Sequence, residues 1–181
     1  MHSSIGEEDR YCLTELEDSY YQFHSESGNL YDLYFKLSYQ NDVARLYSGN
    51  PNIEVYEIFF EIVHTKKTQV NDVKIVNTLL FAVEEFLHTT PERIVFYITS
   101  RDDERNKALF KFYEIWFRKY LRNSNTLMRK LNRVILFNDS VVDYISFFYL
   151  DCDFDLNYID NCLDTVLTEI YPNYRILDMR V

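Results

Sequence analysis

Arg93-Ile94-Val95-Phe96-Tyr97-Ile98-Thr99-Ser100-Arg101-Asp102-Asp103-Glu104-Arg105-Asn106, running into Lys107-Ala108-Leu109-Phe110-Lys111-Phe112-Tyr113-Glu114-Ile115-Trp116-Phe117-Arg118-Lys119-Tyr120-Leu121, is the stretch that decides the fold. Ile94 to Ile98 are apolar at consecutive positions, so both faces of this strand are covered and it lies centrally in a sheet. A charged turn follows, and then a long aromatic helix. Ser100 and Asp103 have capping-box spacing, and acids in a first turn suit the helix dipole. A buried strand that feeds a turn and a helix is a common place for a site in proteins mixing strands and helices.

Working outward, Asn71 or Asp72 caps an earlier helix. Val73, Val76, Leu79, Leu80, Val83, Phe86 and Leu87 recur at helical spacing, so one face packs on a sheet. Further back, Ser19 to Ser25 alternates as a strand, Gly28-Asn29 turns, and Leu30 to Tyr39 forms the hairpin partner. Its positions Tyr31, Leu33, Phe35, Leu37 and Tyr39 form one apolar face, expected to be buried. Gly49 to Asn52 is a loop, and Ile53 to Thr65 a third strand, which completes an antiparallel meander. Beyond the aromatic helix, Arg129 to Arg133 lead into a strand at Val134–Phe137, and Val141 to Leu150 is extended. Asp155 or Asn157 caps a last helix through Tyr171, stopped by Pro172. The pattern predicts one α+β domain over residues 1–181, with residues 1–17 irregular. A curved antiparallel sheet packs against two main helices, followed by a C-terminal helix.

At 181 residues, 47% hydrophobic and 17% aromatic, the chain has ample material for a core. Its 16 tyrosines and 14 phenylalanines reflect either an A/T-rich codon bias or an adhesive surface. Cys12, Cys152 and Cys162 form no disulfide framework, which fits a cytoplasmic protein. No window is apolar enough to span a membrane, and no signal peptide is legible. Charge is segregated, with residues 1–62 at net −9, 63–138 at +6 and 139–181 at −7. Acidic flanks of this kind suit a partner with a basic surface.

On a helical wheel Lys107, Lys111, Arg118 and Arg122 share a narrow stripe with Glu114 on an otherwise buried helix. With Arg129, Lys130 and Arg133 they form a candidate nucleic-acid surface, with aromatic neighbours for stacking. Arg105 falls in the apolar arc, where its guanidinium needs a carboxylate such as Asp102, Glu57 or Glu61. It is either a structural tie or an anion-binding group at a helix start. Arg101, Asp103 and Arg105 are therefore the candidate ligand residues at the end of the strand. Asp102, Asp103 and Glu104 are read as helix-capping acids rather than ligands of Mg²⁺.

Only Gly6, Gly28 and Gly49 are present, which removes the phosphate-binding glycine loops and the nucleophile elbow. The histidines, His2, His24, His64 and His88, lack zinc spacing. No catalytic set, cofactor or metal is expected.

The block Ile94-Val95-Phe96-Tyr97-Ile98, Arg101-Asp102-Asp103, Arg105, Leu109-Phe110 and Trp116-Phe117 resembles a family of small bacterial proteins of Bacteroidetes-type genomes, known as a domain of unknown function. The resemblance spans about residues 18–150 and implies a small α+β fold with no known activity. Together these readings favour a non-enzymatic cytoplasmic interaction protein: an antitoxin, immunity or defence-accessory protein that binds a basic protein through its acidic surface. Nucleic-acid binding by the basic stripe is the alternative. An enzyme or small-ligand binder with its site at the end of strand 94–98 is the third.

Overall fold

The computed structural model describes residues 6–66, 72–99 and 105–179, apart from the side chains of 105 and 106. The elements in chain order are β1 (Thr14–Glu17), β2 (Tyr20–His24), β3 (Leu30–Leu37), α1 (Asn41–Ser48), β4 (Glu54–His64), α2 (Val73–Thr89), β5 (Arg93–Thr99), α3 (Arg105–Asn123), β6 (Met128–Phe137), β7 (Ser140–Leu150), α4 (Leu156–Ile170) and β8 (Arg175–Asp178). The strands form one sheet in the order β1-β2-β3-β4-β5-β7-β6-β8. The fold is α+β, as the hydrophobic pattern predicts.

Every neighbouring pair is antiparallel except β4 with β5. A parallel pair needs a crossover, and α2 supplies it. Asp72 caps that helix by accepting a hydrogen bond from the Lys74 amide at 3.0 Å. Between β6 and β7, Asn138 and Asp139 take φ values of 50° and 61°, the left-handed pair that a two-residue hairpin turn demands.

Both faces of the central strands are covered. Val55, Ile94, Phe147 and Tyr149 pack with α1 and α4 through Ala44, Ile159, Leu163 and Leu167. Val95, Phe148 and Leu150 pack on the other side with α2 and α3 through Leu80, Val83, Phe86, Phe117 and Tyr120. Phe35 stacks on Phe86 with ring centroids 4.0 Å apart and tilted by 1°, which joins the meander to α2. The expected covering of two main helices is thus enlarged to four helices, two on each face.

Three elements lie outside the sequence expectation. Thr14–Glu17, within the stretch read as irregular, pairs with β2. Arg175–Asp178 pairs with β6. Asn41–Ser48 is a helix that ends on Gly49 at φ 64°. The Asn41 side chain accepts from the Val55 amide at 2.8 Å, so tertiary contact holds this short helix. The apolar face of β3 is buried at Tyr31, Leu33 and Phe35 but not at Leu37 or Tyr39, the latter 86% exposed. Pairing of β3 with β4 ends at Leu37, and the chain then leaves the sheet for α1.

Helix α3 is also less enclosed than its composition suggests. Phe110, Glu114, Phe117 and Tyr120 form its buried face, while Ile115 is 66% exposed. Glu114, placed by the wheel on the solvent stripe, faces inward because Lys130 awaits it there.

Candidate ligand-binding cleft

Strands β4 and β5 pair only from Glu54↔Arg93 to Glu57↔Phe96. Beyond that point β4 stays with β3 as far as His64, and β5 stays with β7 as far as Thr99. The sheet therefore divides into two halves, and the facing edges of β4 and β5 carry backbone groups with no strand partner across the gap. The parting of this parallel pair leaves a crevice beyond Glu57 and Phe96.

A cavity of about 250 Å³ occupies this position. Ile58 and Phe60 of β4 line one side, and Tyr97, Ile98 and Thr99 of β5 the other. Val76, Leu79, Leu80 and Val83 of α2 and Leu109, Tyr113 and Phe117 of α3 complete the apolar wall. Lys130 of β6 and Phe148 of β7 close it. A largely apolar concavity with a few convergent polar groups is the usual form of a small-molecule site.

Sheet register builds the polar part. Tyr97 lies opposite Ser146, and Ser146 opposite Asn132. These three stand in one row across β5, β7 and β6, and Ser146 donates to the Asn132 side-chain oxygen at 2.8 Å. Val95, Phe148 and Lys130 form the next row. Because alternate residues share a face, Lys130 and Tyr97 meet on the α3 side, where Lys130 donates to the Tyr97 hydroxyl at 3.2 Å. Glu114 reaches down from α3 and pairs with the Lys130 ammonium. The lysine also sits within 5.4–5.6 Å of the ring centres of Tyr97, Phe110, Phe117 and Phe148.

Burial is the main influence on both titratable groups. It pushes Lys130 down to about 8, against the opposing pull of Glu114, and the Arg118 charge lowers it further. Burial likewise pushes the Tyr97 phenol up. The lysine–glutamate pair thus places an exchangeable proton at the wall of an apolar cleft, on a lysine whose proton burial loosens.

The sequence-derived candidates fare unevenly. Arg101 and Asp103 lie outside the described residues, as do the Ser100–Asp103 cap and the side chain of Arg105. The end of strand 94–98 does border the cleft, through Tyr97, Ile98 and Thr99. Of the basic stripe, Lys107, Lys111, Arg118 and Arg122 are exposed along α3. The strand members do not extend it. Arg129 pairs with Asp151 at 2.9 Å. Lys130 and Arg133 have side chains only 2% exposed, which takes both off the surface. Arg133 instead donates to Asp164 at 2.6 Å, Asp160 at 2.7 Å and Asp178 at 3.1 Å. Strand β6 is covered by helices on both faces, and its Lys130 and Arg133 turn inward to carboxylates, whereas Arg129 pairs with Asp151 at the surface.

Glu114, Lys130 and Tyr97 were not grouped by sequence reasoning, since they are separated by 16 and 33 positions. The sequence carried no signal for the group, since the wheel set Glu114 on the solvent stripe and Lys130 lay ahead of the predicted strand at Val134–Phe137. Among the described residues no group of three His, Cys, Asp or Glu is placed to hold a metal ion. No described helix is long and apolar enough to cross a membrane.

No family model matches the chain, and no curated protein does. Among solved structures, Arabidopsis thaliana NAA60 in complex with acetyl-CoA matches over 73% of this chain and 76% of its own, at 13% identity and a TM-score of 0.37. The site is accordingly built from this chain's own residues. The expectation of a non-enzymatic protein acting through an acidic surface or a basic stripe is corrected here. This chain's own sheet opens a largely apolar cleft whose lining includes the buried Lys130.

Proposed function

We propose that this protein binds a small ligand in the cleft between β4 and β5, with the ligand's apolar part against α2 and α3 and a small polar group beside Tyr97 and Lys130. The observation that carries the reading is the parting of two parallel strands directly over a buried Lys130–Glu114 pair. Such a pair is costly to bury, and hydrophobic residues would fill the same volume more cheaply. Strongly perturbed titratable groups in a cleft mark functional sites. The facing strand edges suit an extended, amide-bearing chain that hydrogen-bonds along them as a strand would. The free cysteines fit a reducing compartment.

Acetyl-CoA has this build, an amide-bearing arm that ends in a small acyl thioester, and n-hexanamide is the corresponding free alkyl carbonyl. Both serve as probes in a ¹H–¹⁵N NMR titration. Shifts confined to Ile58, Phe60, Ile98, Thr99 and Leu109 support the reading. Ile98→Trp, which fills the mouth from a partly exposed position, should abolish them. Shifts elsewhere, or none with either probe, would remove the cleft as the site.

A further inference from the structure

Thr99 is 4% exposed and lines the cleft, yet its hydroxyl oxygen has no hydrogen-bond partner among the described residues. Buried hydroxyls nearly always have one, and an orphan is a cost to the folded state that calls for an explanation. Threonine on β5 follows Tyr97 on the same face of the strand, and both line the cleft together with Lys130. Valine has nearly the same shape and higher affinity for an apolar site, and would remove the cost. Retention of the hydroxyl is explained if something outside the chain completes it.

The nature of that group follows from the charges nearby. Lys130 is already neutralised by Glu114, so the cleft has no spare positive charge. Glu114 is paired with Lys130, which lines the cleft, so a ligand carboxylate at Lys130 would meet a second negative charge in a poorly screened setting. A neutral carbonyl oxygen meets no such repulsion and can accept from both a hydroxyl and an ammonium. Among the described residues, the Lys130 ammonium has two hydrogen-bond partners for its three donors.

We propose that Thr99 is a specificity residue of this cleft, its hydroxyl turned about the Cα–Cβ bond to donate to the neutral carbonyl oxygen of an amide-, ester- or thioester-type ligand, with Glu114 excluding carboxylates. This rests on the ligand-binding reading above. The test measures n-hexanamide and hexanoate binding by NMR titration in wild type, Thr99→Val and Thr99→Ser, together with ligand-free thermal stability. Wild type should bind the amide more tightly than the carboxylate. Thr99→Val should weaken the amide by about 3- to 10-fold, the worth of one hydrogen bond, and Thr99→Ser should restore it. Ligand-free Thr99→Val should melt no lower than wild type. Equal amide affinity in Thr99→Val would overturn the inference while leaving the cleft reading intact. So would equal binding of hexanoate, or a lower melting temperature, which would reveal a structural partner for the hydroxyl. Failure of both probes in wild type would remove the cleft reading, and this inference with it.

Discussion

Lys130 of β6 and Glu114 of α3 form an ion pair inside the protein, with side chains 2% and 11% exposed. The pair links helix α3 to strand β6, whose Lys130 lines the cleft. Removing one partner strands the other charge in an apolar setting, so Glu114→Ala should cost about 3–5 kcal/mol. Replacing both, as Lys130→Met with Glu114→Leu, should cost much less and could stabilise the fold. Urea denaturation of the two singles and the double at neutral pH checks the coupling.

Lys130 also carries a pH signature. Its pKa is about 8 in the folded protein, whereas an unfolded-chain lysine titrates near about 10.4. Between those values the unfolded state holds more protons, so this group makes stability rise with pH, by at most about 1.4 kcal/mol per unit. Cys162, whose thiol burial pushes up, acts oppositely in the same window. Tyr11, pushed up to about 12 mainly by burial, lowers stability only above the unfolded tyrosine range. The informative quantity is therefore wild type minus Lys130→Met. That difference should grow in favour of wild type from about pH 8 to about pH 10 in urea melts.

Arg133 joins β6 to α4 and β8 through Asp160, Asp164 and Asp178. Arg133→Met should cost about 3–5 kcal/mol, because three carboxylates lose their common partner. Arg133→Lys keeps the charge but not the planar fork, and should recover only part. Hydrogen exchange should show the loss first at β8, a four-residue edge strand held by few other contacts.

Asp72 has two roles at the start of α2. It accepts from the Lys74 amide at 3.0 Å and from the Tyr11 hydroxyl at 2.6 Å. Asp72→Ala should cost about 1–2 kcal/mol, the upper range for a helix cap. Tyr11→Phe keeps the cap but loses the hydroxyl's bond to Asp72 and the one it accepts from the Glu26 amide at 3.1 Å, so it should cost about as much. Thermal melts of both variants and the double would show whether the two bonds act independently.

Periodicity alone made the main framework of this protein legible. The alternation in β2 and β3, the helical spacing from Val73 to Leu87, the doubly apolar run at Ile94–Ile98 and the capped C-terminal helix each carry a local signal, because each buries a face of its own. Negative signals were equally direct: three glycines exclude phosphate loops whatever the fold. The end of strand 94–98 was legible as a place of interest, and Tyr97, Ile98 and Thr99 there line the cleft.

What tertiary structure alone decided is which residues meet there. The short elements α1, β1 and β8 have too few residues to announce themselves and exist through their neighbours. That β4 and β5 run parallel and then part depends on which strand each prefers beyond Glu57 and Phe96, and no local pattern encodes that choice. Whether a lysine is a surface charge or half of a buried pair depends on register across β5, β7 and β6. Lys130 and Tyr97 share a face in adjacent rows, a relationship that arises only when the strands pair, because hydrogen bonding between strands, not distance along the chain, sets which side chains are adjacent.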